Sequence, residues 1–111
     1  MEIESLEVYA RDSNFAIIKP PGRNFPGCVI QGDSLAYLCR RVRRIVTAVA
    51  AGRTADEDFR DDVQELNDGL IERILHYQAV LAKHGIGLPY PGAFTPEDLV
   101  VQPSEDDGEA E

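Results

Sequence analysis

The sequence predicts an α+β domain: a three-stranded antiparallel sheet packed on an antiparallel helical hairpin, followed by a disordered acidic C-terminal tail. Three observations carry this. Short apolar runs broken by proline and glycine fill residues 1–32. At Gln31-Gly32-Asp33-Ser34 the apolar period changes from two to 3.6. Two long amphipathic stretches then follow, and the short link between them forces an antiparallel pair. The chain has 111 residues. That length fits one domain, expected over residues 1–102, with the tail at 103–111.

The strands come first. Glu2 to Ala10 is rich in Ile, Leu, Val and Tyr. Leu6, Val8 and Ala10 share one parity and Ile3 breaks it, so a bulge or a late strand start is expected. Arg11-Asp12-Ser13-Asn14 is a turn signal. Phe15-Ala16-Ile17-Ile18 reads as a second strand, apolar enough to be covered on both faces. Pro20 to Gly27 holds three prolines and two Pro-Gly pairs, which favour type II turns and cannot feed a ladder. Cys28-Val29-Ile30 is a short third strand, completing a meander.

The first helix is expected over 33–52, with Asp33 or Ser34 taking the free amides of its first turn. Leu35, Leu38, Val42, Ile45 and Val49 mark its apolar face, and Gly52 ends it. The second helix is expected over 54–84, opened by a capping box at Thr54-Ala55-Asp56-Glu57. Phe59, Val63, Leu66, Leu70, Tyr77 and Leu81 form its stripe, widened by Ile71, Ile74 and Leu75. At about 28 residues it outruns the first helix by ~16 Å. Its C-terminal end therefore needs a cover. Residues 85–102 are one candidate, with Leu88, Tyr90, Phe94, Leu99 and Val101, and Thr95-Pro96-Glu97-Asp98 as a further cap. A homodimer through the C-terminal end of the second helix is the other.

Charge excludes some functions. The net charge is −9, but seven of the 20 acids lie in residues 97–111 with no Lys or Arg. Residues 1–96 carry 11 bases and 13 acids, a net of −2. A duplex-binding body would be basic, so nucleic acid is not expected as a partner. No apolar run reaches the ~18 residues of a membrane span, and the acidic start Met1-Glu2-Ile3-Glu4 carries no leader pattern. With two cysteines the expectation is a cytoplasmic protein with reduced thiols.

The candidate sites are few. Arg40, Arg41, Arg43 and Arg44 form a basic patch, readable as a phosphate site or as partners of the helix dipole and of acids at the start of the second helix. His76 and His84 are eight residues apart, and no local ligand set completes a metal site, so neither metal nor cofactor is expected. His84 is expected over the helix C-terminal carbonyls. Cys28 and Cys39 read as buried structural thiols. Catalytic residues are not identified, because Gly32-Asp33-Ser34 lacks the nucleophile-elbow spacing. Arg23, Asn24 and Phe25 sit in the stiff proline loop, where an aromatic and an arginine serve as interface anchors at little ordering cost. The alternative is Phe25 folded back on the core. Tyr90 and Phe94 are the matching partner-binding candidates in the docking segment.

Residues 25–35, Phe-Pro-Gly-Cys-Val-Ile-Gln-Gly-Asp-Ser-Leu, resemble the HicB family of antitoxins. That family commonly carries a Pro-Gly-Cys turn, a short strand, Gly-Asp-Ser/Thr and a helix, after strands in the order found here. The resemblance spans residues 2–50 and implies a βββα unit that neutralises a toxin. The long second helix and acidic tail replace the family's usual DNA-binding module, so operator binding is not implied. The expected function is a non-catalytic interaction module of antitoxin or immunity type that blocks a protein partner. A self-associating structural protein, and a small-ligand binder or enzyme with a site not readable from sequence, are the alternatives.

Overall fold

The computed structural model describes residues 1–11 and 16–102. The strands are shorter than the apolar runs that encode them: β1 is Glu7–Ala10, β2 is Ile17–Lys19 and β3 is Gly27–Cys28. They form the expected antiparallel meander, β1-β2-β3. Both anticipated irregularities of β1 occur. It starts late, leaving Ile3 in solvent, and its register with β2 slips between Val8 and Ala10. The slip turns Ala10 toward Ile17, which is fully buried. The expected turn at 12–14 and the strand start at Phe15 lie outside the described residues, as does the tail expected at 103–111. After β2, Pro21-Gly22 makes a turn with Gly22 at φ 83°. The second Pro-Gly pair does not turn, because Gly27 already pairs with Ile18.

Two helices carry most of the structure. Helix α1 is Gly32–Ala50 and α2 is Glu57–Lys83. Both stop by the same device. Gly52 and Gly85 take left-handed φ values of 71° and 70°. Their N–H groups donate to Val49 and Ala82, and those of Arg53 and Ile86 donate to Ala48 and Leu81. The starts differ from expectation. Gln31 and Asp56, not Ser34 or Thr54, hold the N-cap positions without a side-chain cap bond. Asp33 lies inside the first turn, where its carboxylate accepts from the Ser34 N–H at 2.7 Å.

The core sits at the C-terminal end of α2, where Ile17 meets Tyr77, Val80 and Leu81. Tyr9, Ala10, Ile74, Ile86, Leu88 and Tyr90 pack round it. That end is thus covered within the chain, by the sheet and by the segment after the helix. The cover is partial: Tyr77 and Leu81 are buried by it, while Ile71 and Ile74 still line an open concavity.

The rest of the segment runs back along α2 as a strap. Gln78 holds it at Phe94, accepting from the Phe94 N–H and donating to its carbonyl, both at 2.9 Å. Asp68 holds its end, accepting from the Val100 and Val101 N–H groups at 2.7 and 3.0 Å. Between these points a 3-10 turn, Pro96–Asp98, carries a reciprocal Thr95–Asp98 capping box, and Leu99 is buried behind it. Burial works against the Asp68 charge, but the Val101 and Val100 amides outweigh it and hold the carboxyl below its ordinary range.

Candidate functional site

A concavity forms where the β2–β3 loop meets α2 and the strap. Tyr77 reaches up from α2 and its hydroxyl donates to the Pro26 carbonyl at 2.6 Å, inside the protein. That bond fixes the loop, and burial raises the Tyr77 pKa. On the opposite side the Tyr90 hydroxyl donates to Gln78 Oε1 at 3.0 Å, and Tyr90 and Phe94 meet edge to face at 6.1 Å. Burial raises the Tyr90 pKa as well. Between these walls lies a groove of about 500 Å³. Pro26, Gly27, Cys28 and Ile30 form the roof, Leu70, Ile71, Arg73, Ile74 and Tyr77 the floor, and Pro89, Tyr90 and Phe94 the far wall. Its surface is almost wholly apolar, so it suits an apolar or aromatic group and not a reacting polar one.

The expected partner-binding residues divide between two places. Tyr90 and Phe94 line the groove. Arg23, Asn24 and Phe25 stand on the turn before Pro26 and are exposed, Phe25 at 43%. Phe25 therefore does not fold back onto the core; the buried Pro26 takes that place. The groove floor was legible only as the uncovered stripe of Ile71 and Ile74. Cys28 and Ile30 carried no sign of it, because their strand reads as ordinary sheet.

The basic patch resolves into cross-helix pairing. Arg44 donates to both oxygens of Asp62, at 2.9 and 3.1 Å. Arg41 is buried, stacks 4.7 Å from the Tyr37 ring centre and donates to Tyr37 and Glu65. The hydrogen bond from Arg44 holds the Asp62 carboxyl below its ordinary range, and Asp62 in turn raises the Arg44 pKa. The arginines sit mid-helix, and the last turn of α1 holds no basic residue, so the dipole half of the expectation is not met. Arg40 and Arg43 point outward and are exposed.

Burying Arg41 has a consequence for the whole helix. Arg41 and Ala48 are buried against α2, and Leu38 and Ile45 are half-buried beside them. Leu35, Val42 and Val49, read from sequence as part of the apolar face, lie about 100° round the helix, with Val46 beside them. They remain 40–58% exposed. The face of α1 that meets α2 therefore carries the Arg41 and Arg44 ion pairs beside Leu38, Ile45 and Ala48, and part of the apolar stripe lies off it.

A family model agrees with this chain over residues 1–90, from β1 through both helices to Tyr90 of the groove wall. Its family is DUF6959, of unknown function. The chain belongs to the DUF6959 family. The matched span includes the roof and floor of the groove and stops before Phe94. No curated protein and no solved structure matches the chain.

Other expectations for this DUF6959 chain concern its thiols and histidines. Cys28 and Cys39 are free and exposed, not buried. Cys28 lies on the two-residue strand β3, and Cys39 on the side of α1 away from α2. His84 meets β1 and not its own helix: its ring sits 4.9 Å from Tyr9 edge to face, and Nε2 lies 3.3 Å from the Tyr9 carbonyl oxygen. Among the described residues no His, Cys, Asp and Glu cluster could hold a metal ion, and no helix is long and apolar enough to cross a membrane.

Proposed function

We propose that this DUF6959 chain is a non-catalytic protein-interaction module of antitoxin or immunity type. It binds a protein partner by seating an apolar or aromatic side chain of that partner in the groove, and so neutralises it. The observation that carries the reading is the groove itself: apolar, about 500 Å³, with walls fixed in advance by Tyr77 on Pro26 and Gln78 on Tyr90 and Phe94. Preformed walls remove much of the ordering cost of binding. The segment that resembles HicB antitoxins supplies the roof, through Pro26, Gly27, Cys28 and Ile30. Exposed Phe94 in its far wall, and exposed Phe25 on the turn before Pro26, are further anchors. Two free thiols fit action in the cytoplasm.

The test is co-expression with the product of the neighbouring reading frame. Purification through a tag on this chain is expected to yield a one-to-one complex, and growth arrest by the neighbour alone is expected to be relieved. Ile74→Asp, which places a carboxylate on the groove floor, is expected to abolish both. A neighbour that is not toxic and does not co-purify overturns the reading. The volume also suits a small molecule, since such sites run to roughly 300–1,000 Å³. Persistent ligand mass in native mass spectrometry of the purified chain would select that alternative.

A further inference from the structure

The hairpin carries a second apolar surface, which shares Leu70 with the groove lining. On α1 it comprises Leu35, Val42, Val46 and Val49, all 40–58% exposed. On α2, Val63 and Leu70 are 40% and 46% exposed, with Phe59 and Leu66 half-buried beside them. The α1 arc lies about 100° from the line of Arg41 and Ala48 that contacts α2, measured in the chain direction. The α2 arc lies at nearly the same angle from Asp62 and Gly69, which face α1. The helices run antiparallel, so equal rotations in the chain sense bring both arcs to the same side of the hairpin.

We infer that this face pairs with the same face of a second copy, making an antiparallel four-helix bundle about a two-fold axis. Two segments of the sequence lie outside the described residues, and their composition does not suit them to cover this face. Residues 103–111 read Pro-Ser-Glu-Asp-Asp-Gly-Glu-Ala-Glu and contain no large apolar side chain. Residues 12–15 contribute one, Phe15, at the β1–β2 connection. Neither segment can cover a two-helix face. Area then favours a copy. Helix α1 is 19 residues long. At 1.5 Å per residue, with two helices ~10 Å wide set ~9 Å apart between axes, the face projects about 550 Å². Two such faces bury on the order of 1,100 Å² in total, which clears the roughly 1,000 Å² that a specific interface needs. The arc from Leu35 through Cys39 to Val49 holds no charged residue, and its pattern repeats at the spacing of a bundle seam.

Sedimentation velocity of the full chain tests this without any other protein, so its outcome is independent of the groove reading, which shares only Leu70 with this face. The intact chain is expected to be dimeric at about 10 μM, within the range of interfaces this size. Val46→Glu puts a carboxylate in the seam at a position that is solvent-exposed in the single chain, so helicity by circular dichroism is retained. It is expected to weaken the dimer by ~100-fold or more. Thr47→Glu, outside the arc on the same helix, leaves the dimer intact. In a Cys28→Ser background, alkylation of Cys39 slows as concentration rises, and Val46→Glu abolishes the slowing. A monomer at about 100 μM, or a dimer indifferent to Val46→Glu, overturns the inference.

Discussion

Asp68 is expected to decide whether the strap stays on α2. Its carboxylate accepts from the Val100 and Val101 N–H groups at 2.7 and 3.0 Å and from the Asn67 side chain at 3.0 Å. Asp68→Asn keeps the shape but turns one acceptor into a donor. One of the two strap amides then loses its partner, which costs about 1–3 kcal/mol. The thermal midpoint is expected to fall by at least ~4 °C. Hydrogen exchange at Val100 and Val101 should quicken roughly five-fold or more, since 1–2 kcal/mol corresponds to that range. The pH dependence has a definite sign. The folded pKa of Asp68 lies below the ordinary 3.8, so its contribution is complete above that value. It is lost as pH falls through the lower, folded pKa. Asp62 is held down too, by Arg44, and contributes acid sensitivity of the same sign. Asp68→Asn should therefore remove part of the acid-induced loss and leave the Asp62 part. Unprotected Val100 and Val101 amides in the parent chain, or no change in their exchange on substitution, would refute the docked strap.

Other perturbations separate core, helix and tail. Leu81→Ala, at a fully buried position in the core, is expected to cost about 2–5 kcal/mol in urea unfolding. Gly69→Ala, inside α2 with nothing nearer than 3.9 Å to the added methyl, should raise stability by roughly 0.5–1 kcal/mol. Gly85→Ala, at φ 70°, should lower it by about 1–2 kcal/mol despite open space around it. Deleting Pro103 to Glu111 removes few apolar atoms and is expected to leave the thermal midpoint within about 4 °C.

The sheet order, both helices and the Thr95 cap were legible because each rests on local chemistry: turn residues, apolar period and capping side chains. Gly52 announced the end of the first helix for the same reason. The helix starts were less legible, since Thr54 and Ser34 are good caps that the chain passes over for Asp56 and Gln31. The α1 stripe shows where periodicity stops being informative. Leu35, Val42 and Val49 have the spacing of a core face, yet the side of α1 against α2 is the one where Arg41 and Arg44 pair with Glu65 and Asp62. An apolar arc predicts burial against something, and the sequence does not say whether that is the same chain. Ile45 and Leu66 accordingly sit half-buried beside the arc rather than at the centre of a core. The groove depends on contacts distant in sequence: Tyr77 meets Pro26 across 51 residues and Gln78 meets Phe94 across 16. Tyr90 and Phe94 could be singled out as apolar residues in an otherwise loop-like stretch, whereas Cys28 and Ile30 acquire their place only from the loop that Tyr77 fixes.

Methyl-resolved NMR of the labelled chain, titrated with the purified product of the neighbouring reading frame, tests the interaction reading most directly. The methyl groups of Ile30, Ile71 and Ile74 line the groove, while those of Val42, Val46 and Val49 lie on α1 away from it. Shifts saturating at one equivalent and centred on the three isoleucines are the expected result. No shift at those methyls, with or without changes along α1, would contradict a groove that receives a partner.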